Sequence, residues 1–142
     1  MARPRTHALI SAALAAGLWQ LTGSRAAALA TIAGGFLVDG DHLVDLAVVR
    51  LTRDRRWFIV PLHGWEYLPA ILVAARRSAL GPVLAGYALG LTSHLIADQI
   101  VNGVGRWGYF FTYRLARGFR GNRLDGEIEF HAWTDQPIWR WF

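Results

Sequence analysis

The chain has no cysteine, which excludes disulfides and thiolate metal ligands alike. Lysine is absent too: all 15 basic residues are arginine. Charge is scarce, at 18% of residues against 54% hydrophobic, a greasy balance for a soluble domain. There is neither an internal repeat nor a low-complexity linker. With 142 residues, one domain is expected and a second core is not. The net charge of +5 raises nucleic acid as a partner. The arginines, however, fall between or after apolar runs rather than along one solvated face. Lipid headgroups suit that placement better, and no nucleic-acid partner is expected.

The apolar runs come in series. Arg3 and Arg5 precede the first, Ala8 to Leu21. A cleaved signal peptide ending near Ala28-Leu29-Ala30 is the less economical reading, because more apolar segments follow. Thr22-Gly23-Ser24 makes a turn with Ser24 as helix N-cap. Further segments cover 25–50, 60–76 and 82–102, the last closed by Asn102-Gly103. Gly34, Gly35 and Gly40 offer close helix approach. The expected fold is an all-α integral membrane bundle of about four helices, spanning 7–22, 25–50, 60–76 and 82–102. Arginine placement puts both termini on the cytoplasmic side of a prokaryotic inner membrane.

The tail, 105–142, changes character. Trp107, Phe110, Phe111 and Leu115 share one helical face, and Tyr113, Arg117 and Arg120 another. That pattern predicts an amphipathic helix, lying at a lipid interface or packed on the bundle. Asp125, Glu127, Glu129 and His131 then alternate with Gly126, Ile128 and Phe130 as in an extended segment. Trp133, Trp139 and Trp141 read as interfacial aromatics.

Against this apolar background stands Asp39-Gly40-Asp41-His42. Ionisable groups in such surroundings cost roughly 2.5–3.5 kcal/mol each on insertion scales unless something neutralises them. Two other segments offer partners: His63 with Glu66, and His94 with Asp98. His94 and Asp98 are four apart on one helical face, so both can reach one ion. Asp39 and His42, like His63 and Glu66, are three apart and can do the same. Asp41 points elsewhere on an ideal helix unless Gly40 distorts it. On the expected topology all three motifs reach the same layer, which points to one shared divalent-metal site. Without thiolates, the ion is zinc first, with manganese, iron or magnesium as alternatives.

Plainer roles compete. His63 and Glu66 suit an interface, His94 can clamp to Ser93 or Asp98, and Asp39 or Asp41 can pair with Arg106. Asp45 either orients His42 or is a surface carboxylate. His7 and Asp54 are given no role.

The order Asp-x-Asp-His, then a histidine motif opening a helix, then Ser-His-Leu-Ile-Ala-Asp resembles the bacterial and archaeal family of membrane-bound metal-dependent hydrolases. The similarity runs from about Phe36 to Phe119, and Gly-Tyr-Phe-Phe-Thr-Tyr-Arg at 108–114 is also in keeping. The resemblance implies an inner-membrane hydrolase distantly similar to zinc-dependent phospholipase C. It implies Asp39, Asp41, His42, His63, His94 and Asp98 as metal ligands. A second histidine is expected in the middle motif, where this chain has Glu66. One metal or two, and Glu66 as ligand or base, both stay open.

The leading functional expectation is hydrolysis of an ester or phosphoester, of a lipid by the depth of the site, through a metal-activated water. Glu66 is the first candidate for general base and Asp41 the second. Arg106, Arg114 and Arg117 are candidates to hold an anionic head group. Membrane lipids are the expected partners, and oligomerisation is left open. The alternatives are an intramembrane metal or proton pathway, and a structural membrane subunit whose polar cluster fixes helix packing.

Overall fold

The structure, a computed structural model, describes residues 4–125. In chain order it consists of α1 (Pro4–Thr22), α2 (Arg25–Gly35), a 3-10 turn (Leu37–Asp41), α3 (His42–Thr52), α4 (Tyr67–Arg77), α5 (Gly81–Val101), α6 (Phe111–Ala116) and a second 3-10 turn (Gly121–Arg123). Among the described residues the one extended pairing is an isolated antiparallel bridge between Trp57 and Arg120.

No described helix is long and apolar enough to cross a membrane. This overturns the membrane bundle, its four spans, the N-in/C-in orientation and the inner-membrane location. The physical reason lies in the helix lengths and in where the polar residues fall. The segment expected over 25–50 breaks into two 11-residue helices, α2 and α3. Each is about 16 Å long at 1.5 Å per residue, half of a ~30 Å hydrocarbon layer. The helix α4 is equally short and begins at Tyr67 rather than near 60. Helix α5 has 21 residues, but His94, Asp98 and Gln99 interrupt its apolar run. The 19-residue α1 carries Arg5, His7 and Ser11.

Packing centres on α2 against α5. A Cβ added at Gly86 would run into the Ala27 carbonyl, and one at Gly90 into the Thr31 carbonyl. Ala27 and Thr31, like Gly86 and Gly90, are four residues apart, so the two helices meet along facing i, i+4 rows. Gly34 lies equally close to the Tyr87 carbonyl. Gly40, expected to help helices approach, has open space where a Cβ would be. Helix α1 packs on this pair through His7, Ser11 and Ala15, a second i, i+4, i+8 stripe.

The rest of the core is small: Val38, Phe58, Val60, Leu91, Leu95, Val104, Tyr109 and Leu124. The amphipathic helix expected after Gly105 shrinks to the six residues of α6, and Arg114 points into the core instead of outward. The extended segment predicted from Asp125 through His131, and Trp133, Trp139 and Trp141, lie outside the described residues apart from Asp125.

Candidate metal centre

The α2–α5 seam leads directly to the site. One turn beyond Gly90 comes His94, and one turn beyond Thr31 comes Gly35. His94 Nδ1 lies 3.0 Å from the Gly35 carbonyl. A carbonyl only accepts, so this nitrogen donates and the Nε2 lone pair is turned to the cluster.

The chain then leaves α2 at the 3-10 turn, which carries Asp39 and Asp41, and His42 opens α3. Asp39 Oδ1 lies 3.4 Å from His42 Nε2, 3.4 Å from His94 Nε2 and 3.7 Å from His63 Nε2. One turn after His94 on α5, Asp98 Oδ2 lies 3.4 Å from Nε2 of both His94 and His63. Its other oxygen is 3.2 Å from His7 Nε2, and the His7 ring stacks on His94 at 4.0 Å.

His63 sits in the turn before α4 and is completely buried. Its Nδ1 is 3.0 Å from Asp41 Oδ2, which also accepts the Leu62 N–H at 2.6 Å. Asp41 thus takes the ring's outer nitrogen and leaves Nε2 facing Asp39, His94 and Asp98. This is the outer-sphere orientation typical of metal-binding imidazoles. Asp41, expected as a ligand or base, is placed behind His63 and belongs to neither donor group described below.

The distances carry chemical meaning. At a metal–nitrogen length of about 2.0–2.1 Å, tetrahedral ligands lie about 3.3–3.4 Å from one another. Four of the carboxylate–imidazole separations given above are 3.4 Å. Two groups have one donor atom from each residue within 4.8 Å of every other: His7, Asp39, His94 and Asp98; and Asp39, His42 and His63. This buried His/Asp cluster can hold a metal ion. Exposure changes across it. The Asp39 and His42 side chains are 22% and 9% exposed, those of His63, His94, His7 and Asp98 no more than 3%. Protein closes over His7, His63, His94 and Asp98, and Asp39, common to both groups, is the most exposed member.

The electrostatics point the same way. Burial pushes the Asp98 carboxyl up, but hydrogen bonds with His63, His7 and His94 outweigh it and hold it well below the usual carboxylate range. Asp39 is likewise raised by burial and lowered further by His42, His63 and His94. Burial pushes the His63 imidazole down, yet contact with Asp39, Asp41 and Asp98 raises it well above its ordinary value. The cluster therefore favours a positive charge at its centre.

Other expected residues lie elsewhere. Glu66 Oε1 accepts the Thr112 N–H at 2.7 Å, capping α6, and Glu66 is in neither donor group. The guanidinium of Arg114 is buried and donates to backbone carbonyls, so it is not available to a head group. Arg106 and Arg117 are exposed, with Arg117 lying over the Tyr113 ring. Asp45 Oδ1 accepts the Ile59 N–H at 2.7 Å; its Oδ2 is 3.9 Å from His42 Nδ1, beyond hydrogen-bond reach. Asp54 pairs with Arg56 and Arg120. His7, given no role from sequence, is the residue that reasoning missed. The signal was present: His7, Ser11 and Ala15 form a polar-and-small stripe on an otherwise apolar helix.

No family model, no curated protein and no solved structure matches the chain.

Proposed function

We propose that this protein is a metal-dependent hydrolase acting on an ester or phosphoester. One observation carries the reading: four imidazole Nε2 atoms and two carboxylates converge at ligand-to-ligand spacing, with the outer nitrogens of His63 and His94 already held by oxygens. The resemblance of the Asp-x-Asp-His, His63 and Ser-His-Leu-Ile-Ala-Asp motifs to metal-dependent hydrolases points the same way.

The donor set of histidine and carboxylate suits zinc first. It divides as structural and catalytic zinc sites divide. His7, Asp39, His94 and Asp98 supply four donors, the complement of a closed site. Asp39, His42 and His63 supply three, the complement of a site that leaves one position for water or substrate. Asp39 is common to both. A divalent ion held there would supply Lewis acidity, lowering the pKa of water toward ~7 and polarising the bond to be cleaved.

The chain's own residues do the rest. Asp41 keeps His63 in one tautomer, the Gly35 carbonyl does so for His94, and α1 covers the inner side. The cluster is most exposed at Asp39. A lipid substrate was inferred from depth in a bilayer, and without spanning helices that inference has no support.

Metal content of the purified protein, measured by mass spectrometry beside His42→Ala and His94→Ala, is the test. Stoichiometric zinc or manganese in the wild type, reduced in both variants, together with cleavage of a chromogenic phosphodiester or carboxylic ester, is the expected result. A folded wild type that takes up no divalent ion after reconstitution overturns the reading.

A further inference from the structure

Arg114 is fully buried, yet its hydrogen bonds go to backbone carbonyls. Nη1 donates to Gly108 at 2.9 Å, and Nη2 donates to Val60 at 3.0 Å and to His63 at 2.7 Å. The rings of Phe58 and Phe111 lie 5.7 and 5.9 Å from its guanidinium carbon. A cation taken out of water is costly unless its donors are engaged. Here Nε is buried without a hydrogen-bond partner, and both bonds of Nη2 go to the first and last carbonyls of one four-residue turn, Val60-Pro61-Leu62-His63.

That turn does not hold itself cheaply. Val60 has φ of 31°, a conformation that β-branched residues avoid. The turn closes through the His63 N–H donating to the Val60 carbonyl at 3.0 Å. Its Leu62 N–H and His63 Nδ1 both meet the same oxygen of Asp41. A small change in the turn would break this two-point fit and swing the His63 ring.

We propose that Arg114 is a positioning residue for His63. By pinning both end carbonyls from inside the core, it holds the strained turn in the one shape that lets Asp41 orient His63 Nε2 toward Asp39, His94 and Asp98. The functional meaning of this rests on the metal reading of the cluster; the positioning itself does not. A planar guanidinium bonds three carbonyls in fixed directions, which the single nitrogen of lysine cannot reproduce.

The test uses the full chain with Arg114→Lys, and Arg114→Met beside it. In metal-free protein, long-range proton–nitrogen NMR reads each imidazole's tautomer. The expected result is that His63 signals shift in Arg114→Lys, while those of His7, on α1, stay. Cobalt(II) titration then reads the centre: the dissociation constant rises at least roughly tenfold, the size of an outer-sphere loss, and the absorption spectrum changes. On a His63→Ala background the same substitution leaves cobalt affinity within about twofold, because its effect runs through His63. Unshifted His63 signals in folded Arg114→Lys, or an equal loss of affinity without His63, overturn the proposal. A wild type that binds no cobalt removes the metal reading, and the NMR comparison then decides the positioning alone. Should Arg114→Met fail to fold, Arg114→Lys carries the result.

Discussion

The Nε2 atoms of His63 and His94 lie 2.8 Å apart, and the opposite nitrogen of each ring is already committed to an oxygen, Asp41 for one and Gly35 for the other. Two lone pairs cannot face each other at that distance. Either a proton is shared between them or a cation lies to one side within reach of both, and Asp39 and Asp98 flank the same point. Burial lowers the affinity of His63 for a proton, and contact with Asp39, Asp41 and Asp98 outweighs that and raises it.

His7 is the sharpest test of the inner group. His7→Ala removes the imidazole that lies against Asp98, and at least a roughly tenfold loss of metal affinity is expected. Stoichiometry measured by mass spectrometry falls toward the content of the outer group alone. Unchanged content and affinity would leave His7 as a packing residue.

Asp41→Asn separates an orienting role from a ligand role. The amide keeps the size of the side chain and one accepting oxygen but loses the charge that strengthens both bonds, so His63 is held less firmly. Metal affinity is expected to fall about 10–100-fold without loss of stoichiometry at saturation. Loss of one whole equivalent would mean that Asp41 binds the ion directly. Isothermal titration with zinc distinguishes the two.

Gly90→Ala tests the seam. The new methyl meets the Thr31 carbonyl, and backbone atoms cannot yield as a flexible side chain can. Helices α2 and α5 must separate, at about 1–3 kcal/mol by the scale of overpacked cores. Urea denaturation followed by circular dichroism gives the loss. Metal affinity should fall with it, because His94 follows Gly90 by one turn and reaches across to Gly35. Gly40→Ala, at an open position, should change neither by much.

Glu66→Gln distinguishes a cap from a catalyst. Burial pushes the Glu66 carboxyl up, but the N–H groups of Thr112, Glu66 itself and Phe111 outweigh it and lower it below its ordinary value. A carboxyl with a depressed folded pKa adds stability above its unfolded pKa, about 4.3, and that stability is lost as pH falls through the folded value. Glu66→Gln should therefore lower stability by about 0.5–1 kcal/mol at neutral pH and flatten the acid limb of the pH profile. The hydrolysis rate should be unchanged. A fall of a hundredfold or more would restore Glu66 as general base.

Much of the site was legible in the sequence, and for a definite reason. Asp39, His42, His63, His94 and Asp98 stand in apolar surroundings where an unpartnered charge is costly, so their convergence could be argued without coordinates. Local spacing likewise paired His94 with Asp98 and Asp39 with His42, and these pairs lie 3.4 Å apart in the fold. The same apolarity misled about the fold, because a run of hydrophobic residues does not say whether it faces lipid or another helix. The turn at Leu37–Asp41 cut the second segment in half; of the glycines expected to let helices approach, Gly34 lies on the α2–α5 seam and Gly40 does not, and Gly86 and Gly90 on the facing helix went unread.

Sequence alone determined the chemistry on offer: no thiolate, arginine as the only fixed cation, and a few histidines and aspartates grouped in three apolar segments. Its apolar runs determined an all-helical chain too. Only the tertiary structure decided which of those groups meet. Residue spacing constrains neighbours within a turn or two, whereas His7 meets Asp98 across 91 positions and Arg114 meets His63 across 51. Those contacts depend on where whole helices pack. Packing here follows from three backbone-close glycines, Gly34, Gly86 and Gly90, whose significance appears only when the opposing helix is in place.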